Sequence, residues 1–467
     1  MTDPTAPPTT LHSHADDLRR QMRGTVVAPA EAGYDECRKV WNAMIDRRPG
    51  LVARCLGVGD VVSCVRFAKE HGVELSVKGG GHSIAGLAVG EGLMIDMSLM
   101  RGVWVDPSAR VAHAQPGCLL GDVDRETQLH GLAAVLGFVS QTGIAGLTLG
   151  GGFGYLTRRF GWTTDTVRSI EVVTAEGRIV RASEKTHADL FWALRGGGGN
   201  FGVATDFEYT LYPVGPEIVG GAIAWQADAA EEVLEMYRSL VTTAAPELTC
   251  VAALRAAPPA PWLPKDVHGQ PIVALFVCHS GSAEQGEKVV AALKSFGKPL
   301  GNTLQRRPYV SQQSLLDATQ PAGRRYYWKS EYLPRIDSEF LHAVAKHASR
   351  LVSPHSAILL FPLDGALNRL PTDHSAVGNR DAACVFNIAS AWDHAKDDRA
   401  NIEWARAGWA DLKRFSTGGT YVNFLTEEED DVRVRAAYGE NHTRLVNVKT
   451  TWDPGNMFRV NKNIAPR

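Results

Sequence analysis

Short apolar runs and helical periodicities alternate along the first 215 residues and predict one mixed unit of helices and strands. Apolar residues at helical spacing predict a helix over 60–70, and a strand over 73–77 follows the stop signal His71-Gly72. A second helix is predicted over 121–130. The remaining apolar runs predict strands over 92–97, 103–105, 110–115, 170–175, 178–182 and 203–211.

The pattern changes after Pro213-Val-Gly-Pro216, and this turn-forming run marks a predicted domain boundary. Beyond it, amphipathic periodicity predicts helices over 229–243, 282–296 and 336–351. Apolar runs predict strands over 248–256, 272–279, 357–363 and 383–391. Because these elements do not alternate strictly, we expect an antiparallel sheet covered by helices rather than parallel βαβ units.

The predicted fold class is α+β in three parts: a first domain over 1–215, a second over 216–419 and a C-terminal segment over 420–467. The chain of 467 residues, 44% of them hydrophobic, is long enough for more than one full-sized core. The C-terminal segment carries its own predicted strand, a helix and an Asp-Pro-Gly turn.

Charge and composition exclude several classes of function. The formal net charge is −2 and the basic residues are scattered, so we expect no nucleic-acid partner and no membrane partner. No stretch reaches the ~18 apolar residues that span a bilayer, and residues 1–24 lack an apolar signal core, which predicts a cytoplasmic protein. The seven cysteines form no Cys-x-x-Cys pair, and we predict no metal site.

The run Ser-Val-Lys-Gly-Gly-Gly-His-Ser over 76–83 combines a permissive backbone with an imidazole. Three consecutive glycines can turn several N–H groups toward one point, which suits a pyrophosphate. His82 would then emerge from a loop that holds a dinucleotide, within reach of the reactive part of that cofactor. A plain glycine turn with a surface histidine is the alternative that these residues alone leave open.

Two further glycine clusters follow. Residues 141–155 contain six glycines within twelve positions, which is unfavourable in any regular element and indicates close approach of the backbone to a ligand. The third cluster, over 196–202, contains Gly-x-Gly-x-x-Gly. It leads into a predicted strand, whereas the Rossmann fingerprint must begin a helix, so a Rossmann fold is excluded on context.

Taken in order, these motifs resemble the FAD-linked oxidases of the vanillyl-alcohol oxidase class, in particular the berberine bridge enzyme-like family. The resemblance covers almost the whole chain. The matching motifs are Arg-Arg-Pro-Gly at 47–50, the Gly-His-Ser loop, Gly-Leu-Thr-Leu-Gly-Gly-Gly-Phe-Gly-Tyr at 146–155, Asp-Leu-Phe-Trp-Ala-Leu-Arg followed by the third cluster, Tyr-Val-Asn-Phe at 421–424, Asp-Pro-Gly-Asn-Met-Phe at 453–458 and Asn-Lys-Asn at 461–463.

The resemblance implies that the first domain binds FAD and that the flavin 8α-methyl group is joined covalently to His82. It also implies that residues 216–419 cover the flavin and bind substrate, and that residues 420–467 return to the FAD domain. The residues implied to contact FAD are Lys78, Gly79, Gly80, Gly81, His82, Ser83, Thr142, Gly143, Gly146, Gly150, Gly151, Gly152, Gly154, Tyr155, Asn200, Gly202, Val203, Asn423, Asn461 and Asn463.

Two positions refine this expectation. Some members of the family attach the flavin a second time through a cysteine, and the matching position here is Val139, so we expect a single covalent link. Thr142 matches the position that controls access of oxygen to the flavin, and its small side chain favours O2 as the electron acceptor.

Tyr421 is the predicted catalytic residue, as base or substrate anchor, and a buried tyrosine with a structural hydrogen bond is the alternative. Phe424 stands where the family often has a second tyrosine, and we expect it to contact the substrate. Tyr327 and Lys329 are the other predicted substrate residues, with the lysine binding an anionic group; an aromatic cluster within the core and a solvated lysine are the alternatives. The run 427–431 is expected to be a solvated helix start.

The resemblance implies an FAD-dependent oxidase for a small molecule. Hydride would pass from a C–H bond of an alcohol, sugar or hydroxylated natural product to the flavin, and O2 would then be reduced to hydrogen peroxide. A dehydrogenase of the same fold that uses another acceptor is one alternative. A flavin-binding protein without turnover is the other, suggested by the missing second tyrosine and by Asn379 where relatives often have histidine.

Overall fold

The computed structural model describes residue 11 and residues 14–467, which form helices and sheets in a mixed architecture. The predicted first domain begins at residue 1, and its residues 1–10, 12 and 13 are outside the described part of the chain. The α-helices up to residue 215 are α1 (Ala15–Gln21), α2 (Tyr34–Cys37), α3 (Val58–His71), α4 (Leu120–Gln128), α5 (Ile144–Leu149), α6 (Thr157–Phe160) and α7 (Ala188–Leu194).

A four-stranded sheet supports the first glycine loop. Its strands are β1 (Thr25–Val27), β2 (Leu51–Arg54), β3 (Leu75–Lys78) and β4 (Leu93–Asp96), in the order β1-β2-β4-β3. β2 and β3 both run parallel to β4, and the predicted helix between them is present as α3, with Val61 and Val65 buried. The loop 79–83 thus leaves the carboxyl end of a parallel strand, where α/β folds bind their ligands.

A five-stranded antiparallel sheet completes the first domain. Its strands are β5 (Val103–Asp106), β6 (Val111–Ala114), β8 (Val167–Val173), β9 (Ile179–Ser183) and β10 (Val203–Thr210), in the order β5-β6-β10-β8-β9. A separate two-stranded ladder joins β7 (Leu132–Ala133) to β11 (Tyr212–Pro213). Val173 and Val203 pack into the core of the four-stranded sheet, so both sheets share apolar contacts behind the glycine loops.

The second domain is built on an eight-stranded antiparallel sheet, as predicted. Its strands are β12 (Glu217–Gln226), β13 (Leu248–Ala256), β14 (Pro271–His279), β15 (Gly301–Asn302), β16 (Gln305–Pro308), β17 (Arg325–Leu333), β18 (Ala357–Pro362) and β19 (Cys384–Trp392). β12 and β17 are strands that the sequence pattern did not reveal. Like β13, β14 and β19, both are buried on their two faces, but Gly220-Gly221 in β12 and Lys329-Ser-Glu331 in β17 interrupt the apolar run by which the other strands were predicted.

Helices cover one face of this sheet. They are α8 (Ala230–Thr243), α9 (Ala283–Lys294), α11 (Ser338–Ala348) and α12 (Asp398–Leu412), with the short α10 (Tyr309–Gln313) before β17. Along β13, Cys250, Ala252 and Leu254 pack into the core beneath these helices. Because side chains alternate along a strand, Val251 and Arg255 point to the opposite, uncovered face. That face turns toward the first domain.

The C-terminal segment packs against the first domain. Its helices are α13 (Asp431–Tyr438) and α14 (His442–Trp452), and Leu445 of α14 and Ile464 are buried in the core that surrounds β8 and β10. The strand predicted near its start is wrong, because residues Val422–Phe424 form a 3-10 turn. In a strand, the side chains of the Tyr-Val-Asn-Phe motif would alternate between two faces of a sheet. In this turn they point in several directions and contact different neighbours.

A buried ion pair anchors this segment. Lys449 Nζ lies 2.6 Å from the carboxylate of Asp453, and both side chains are at most 1% exposed. The same ammonium donates to the carbonyl oxygens of Asn200 at 2.7 Å and of Phe458 at 3.1 Å, so it joins the third glycine cluster to the C-terminal turn. Burial lowers the pKa of Lys449.

Among the described residues, the structure contains no helix of the length and apolar character needed to cross a bilayer. The cytoplasmic location stays a prediction.

Lys449→Met should lower the free energy of unfolding by about 3–5 kcal/mol, because it leaves Asp453 as an uncompensated buried charge. Chemical denaturation followed by circular dichroism measures the change. Lys288→Met is the matched control, since Lys288 forms an i,i+4 pair with Glu284 whose partners are 72% and 80% exposed. Equal stability of the two variants would contradict the anchoring role of Lys449.

Candidate active site

A cavity opens where the first domain, the uncovered face of the second-domain sheet and the C-terminal segment meet. All three glycine clusters contribute to its wall. The predicted site residues that line it are Gly79, Gly80, Gly81, His82, Ser83, Thr142, Gly143, Gly146, Asn200, Gly202, Val203, Tyr421, Asn423, Phe424 and Asn461. The sequence motifs therefore contribute residues from all three glycine clusters and from the C-terminal segment to one cavity, although these segments lie far apart in the chain.

The first glycine loop packs directly against the second cluster. A Cβ atom on Gly80 would lie 2.4 Å from Cα of Gly143, and one on Gly79 would lie 2.8 Å from the carbonyl oxygen of Pro116. Gly81 adopts φ 69°, a left-handed conformation that favours glycine. Only residues without a side chain allow this approach.

The same loop presents unpaired backbone donors. Within the described chain, the N–H groups of Gly80, Gly81, His82 and Ser83 have no protein acceptor. Backbone N–H groups are strong donors that are almost always paired when buried. Several of them on one tight loop form a concave anion-binding surface.

His82 follows the loop with its ring enclosed. Its Nε2 atom is buried and has no hydrogen-bond partner among the described residues. The ring stacks on Trp41, with centroids 4.2 Å apart, and Trp41 stacks in turn on Tyr326 of β17 at 3.7 Å. Burial lowers the pKa of His82 to about 4, so the imidazole is neutral at neutral pH and one ring nitrogen carries a free lone pair.

Tyr421 is held from two sides. Its hydroxyl accepts a hydrogen bond from the Gly152 N–H at 3.0 Å and another from Asn423 Nδ2 at 2.9 Å. These bonds favour the phenolate, but burial is the larger effect and raises the pKa of Tyr421 to about 12. The phenol therefore keeps its proton at neutral pH. Of the two predicted catalytic roles this favours the substrate anchor, and the same two hydrogen bonds fit the structural alternative.

Comparison with known proteins agrees with this geometry. Residues 49–183 match the FAD binding domain family model, and residues 420–465 match the berberine and berberine-like model. The chain is 30% identical over 460 residues to (R)-6-hydroxynicotine oxidase of Paenarthrobacter nicotinovorans, covering 95% of this chain and 97% of that protein. It is also 30% identical to an FAD-linked oxidoreductase of Aspergillus terreus, covering 94% and 93%.

The protein belongs to the berberine bridge enzyme-like family of FAD-linked oxidoreductases. Its structure matches 6-hydroxy-D-nicotine oxidase from Arthrobacter nicotinovorans with a TM-score of 0.84 and 28% identity, over 96% of this chain and 98% of that chain. A chitooligosaccharide oxidase shares the fold at a TM-score of 0.83 and 22% identity, over 97% and 99% of the two chains. The fold and the enzyme class predicted from the sequence are confirmed.

The cavity of this FAD-linked oxidoreductase fits its cofactor. The glycine loop offers unpaired N–H donors to a diphosphate, and the buried Nε2 of His82 faces no protein partner. Asn200 is fixed by hydrogen bonds to the carbonyl oxygens of Gly197 at 2.8 Å and Lys462 at 3.1 Å. Lys462 lines the same cavity, and burial lowers its pKa to about 8. Residues 198–203 and 460–462 are thus joined at one end of the site.

Part of the second glycine cluster lies off the cavity. Gly150, Gly151, Gly152, Gly154 and Tyr155 do not line the cavity. A Cβ on Gly150 would lie within 2.5 Å of the side chain of Asn423, and Gly152, with φ 74°, turns its N–H toward Tyr421. The backbone approaches protein closely here: Gly150 and the Gly152 N–H meet the C-terminal motif, whereas a Cβ on Gly154 would overlap the backbone at 136–137.

Two other predicted cofactor residues also lie off the cavity. Lys78 Nζ donates to the carbonyl oxygen of Cys37 at 2.8 Å and lies 3.9 Å from the carboxylate of Asp96. Asn463 is outside the lining, although its buried Oδ1 has no partner among the described residues. Lys78 is the last residue of β3, and its ammonium group is held by these two contacts instead of lining the cavity.

The two predicted substrate residues of β17, Tyr327 and Lys329, do not line the cavity. Tyr327 packs under the helices of the second domain. Lys329 Nζ lies 2.8 Å from the carboxylate of Glu428 and 2.6 Å from that of Glu429. Glu429 is only 8% exposed, so the expectation of a solvated acidic run is wrong at this residue. Trp328, between the two predicted residues, lines the cavity instead, because neighbouring side chains of a strand alternate.

The uncovered sheet face supplies the residues that the sequence did not indicate. Phe276, Arg255, Leu359, Phe361, Asn387 and Ala389 all line the cavity. They belong to β13, β14, β18 and β19, and their side chains lie on the sheet face that the helices do not cover. No motif marks them, since each is one member of a strand buried on both faces.

Gly146→Ala should separate cofactor binding from folding. A Cβ at this position meets no atom within 4 Å, and alanine within α5 should raise stability by up to about 1 kcal/mol. Because Gly146 lines the cavity, the methyl group should still lower the ratio of bound FAD to protein. Absorbance at 280 nm and at the flavin band measures that ratio after reconstitution with excess FAD.

Gly80→Ala should instead lose both folding stability and FAD, because its methyl group would overlap the backbone of Gly143. Gly59→Ala is the control: it lies in α3, has open space around its Cβ and does not line the cavity. A full complement of FAD in Gly146→Ala would show that the cofactor does not pass beside α5.

Proposed function

We propose that the protein is an oxidase that carries FAD on a single covalent bond to His82 and oxidises a small molecule with O2, releasing hydrogen peroxide. An alcohol, a sugar hydroxyl or a hydroxylated natural product is the proposed substrate class. The observation that carries the proposal is the buried, unpartnered Nε2 of His82 at the end of a loop with unpaired N–H groups. An amine is a further substrate type to test, because the relative from Paenarthrobacter nicotinovorans is named a hydroxynicotine oxidase.

The proposed covalent link depends on a neutral imidazole. Burial lowers the pKa of His82, which keeps a ring nitrogen free to form a bond at neutral pH. Stacking on Trp41 restricts the ring to one orientation. A second link through cysteine is not part of the proposal, because Val139 lines the cavity and no cysteine of the described chain does so.

Each part of the chain has a proposed role. Residues 1–215 and 420–467 bind FAD, and residues 216–419 provide the wall against which the substrate binds. Burial of Leu445 and Ile464 in the first-domain core supports the joint role of the two outer segments. Exposure of Phe361 and Trp328 to the cavity supports the role of the second domain.

FAD, when bound, would accept a hydride from the substrate carbon, and the proton of the attached hydroxyl or amine group would be released to solvent as the C=O or C=N bond forms. The proposed task of Tyr421 is to donate its hydroxyl proton to a polar atom of the substrate and so orient the carbon to be oxidised. Asn423 and the Gly152 N–H occupy the acceptor positions of that hydroxyl, which leaves its proton free for this contact. Phe424, in edge contact with Tyr421 at 5.0 Å, excludes water from the same point.

His82→Ala should abolish covalent attachment of the flavin. Wild-type protein precipitated with trichloroacetic acid should stay yellow and show the mass of one FAD adduct, whereas the variant should release all pigment to the supernatant. His130→Ala, an exposed histidine of the same domain, is the control and should keep the adduct. A colourless wild-type pellet after reconstitution with FAD would disprove the covalent link.

Thr142→Leu should slow reoxidation of the reduced enzyme by O2, because Thr142 lines the cavity and a larger side chain narrows access. Photoreduced wild-type holoenzyme mixed with aerated buffer should regain its flavin absorbance and form stoichiometric hydrogen peroxide, with Thr142→Ser behaving like wild type. Reoxidation by a dye but not by O2 would identify a dehydrogenase. Oxidation by O2 without bleaching by any substrate would favour a binding protein.

A further inference from the structure

One arginine lies in the substrate wall on the uncovered face of the second-domain sheet. Arg255 of β13 is directly opposite Ala357 of β18, Ala357 is opposite Ala389 of β19, and Ala389 is opposite Trp328 of β17. All four line the cavity. The two alanines between the arginine and the tryptophan leave a shallow trough across the sheet.

The guanidinium of Arg255 has no acidic partner. Its one side-chain hydrogen bond runs from Nε to the carbonyl oxygen of Ala256 at 3.2 Å, and no carboxylate of the described residues lies within 4.0 Å. Burial, followed by the nearby positive charge of Arg324, lowers the pKa of Arg255 to about 10. A desolvated cation without a counterion is costly, and the cost is relieved by an anion that pairs with it.

The neighbouring charges do not supply that anion. Arg324, whose charge acts on Arg255, is paired with Asp393, and this carboxylate is shared by Arg324 Nε at 2.9 Å and His355 Nε2 at 2.9 Å. His355 lines the cavity next to this pair. Because Asp393 already pairs with Arg324, it does not balance the charge of Arg255. This end of the trough therefore carries an excess positive charge.

The remainder of the wall is mainly apolar. Phe138, Phe276, Leu316, Phe361 and Phe424 surround the space between the trough and Tyr421. A sugar polymer would present hydroxyl groups on every side and leave most of them unpaired here. An aromatic or aliphatic body fits this wall better.

We propose that Arg255 is a specificity-determining residue that binds a carboxylate of the substrate, so that the enzyme acts on a mostly apolar acid whose oxidised carbon lies at the far end from its charge. The inference rests on the proposed function, since it concerns the substrate of the same site. It also reassigns the anion-binding role that the sequence suggested for Lys329, which is paired with Glu428 and Glu429.

The geometry limits the length of such a substrate. Arg255 and Trp328 are three strand spacings apart, roughly 14 Å at ~4.8 Å per spacing. Trp328 contacts Phe424 with ring centroids 5.3 Å apart, and Phe424 contacts Tyr421. The span between the two strand positions, less the length of the arginine side chain, leaves room along the trough for about one ring and a short chain.

Matched acids and amides test the proposal. Flavin-loaded enzyme is titrated by calorimetry with 3-phenylpropionate and 5-phenylpentanoate and with the primary amide of each, and the flavin spectrum confirms that binding is in the site. At least one acid should bind 10-fold or more tightly than its amide, since charge-assisted bonds are about twice as strong as neutral ones. Arg255→Gln should bring this ratio close to one, and Arg255→Lys should retain part of it.

Arg306→Gln is the control, because Arg306 lies on β16 of the same sheet, pairs with Glu287 and does not line the cavity. It should keep the wild-type ratio. Equal affinity of the wild type for acid and amide in both probe pairs would overturn the proposal. So would an unchanged ratio in Arg255→Gln or, should that variant not fold, in Arg255→Lys. Flavin content and reoxidation by O2, measured on the same samples, report separately on the proposed oxidase function.

Discussion

The contact between two glycine loops is the constraint on which the site depends. Gly80 and Gly143 approach so closely that a methyl group on either would overlap the backbone of the other. The first loop follows β3 of the four-stranded mixed sheet, and Gly143 of the second cluster directly precedes the short helix α5 of the same domain. Their contact fixes the position of the unpaired N–H groups and therefore the direction in which His82 leaves the loop. The geometry of the site therefore depends on glycine at both positions.

Ion pairs then hold the second domain and the C-terminal segment in place around these two loops. Lys449 joins α14 to the third glycine cluster from within the first domain. Between the second domain and the C-terminal segment, Lys329 of β17 pairs with Glu429. These pairs are buried, and breaking one leaves a charge without a partner, so their main effect is to define a single arrangement of the three parts.

The sequence predicted the site where a motif combines chemistry with a required backbone shape. The loop before His82 and the motif at Tyr421 meet that condition, and both line the cavity. It could not distinguish a glycine that leaves space in the cavity from one that packs against protein: a Cβ on Gly146 would meet no protein atom and Gly146 lines the cavity, whereas a Cβ on Gly150 would overlap the side chain of Asn423. It also could not assign the faces of strands buried on both sides, and Tyr327 was therefore chosen in place of Trp328.

The stack of Trp41 between His82 and Tyr326 has a consequence for maturation. One side of the tryptophan touches the imidazole of the FAD domain, and the other touches a strand of the substrate domain. The enclosure that keeps the imidazole neutral is complete only after both domains have docked. Under the proposed bond to His82, attachment of the cofactor is coupled to assembly, so a chain whose domains have not yet docked would stay free of covalently bound flavin.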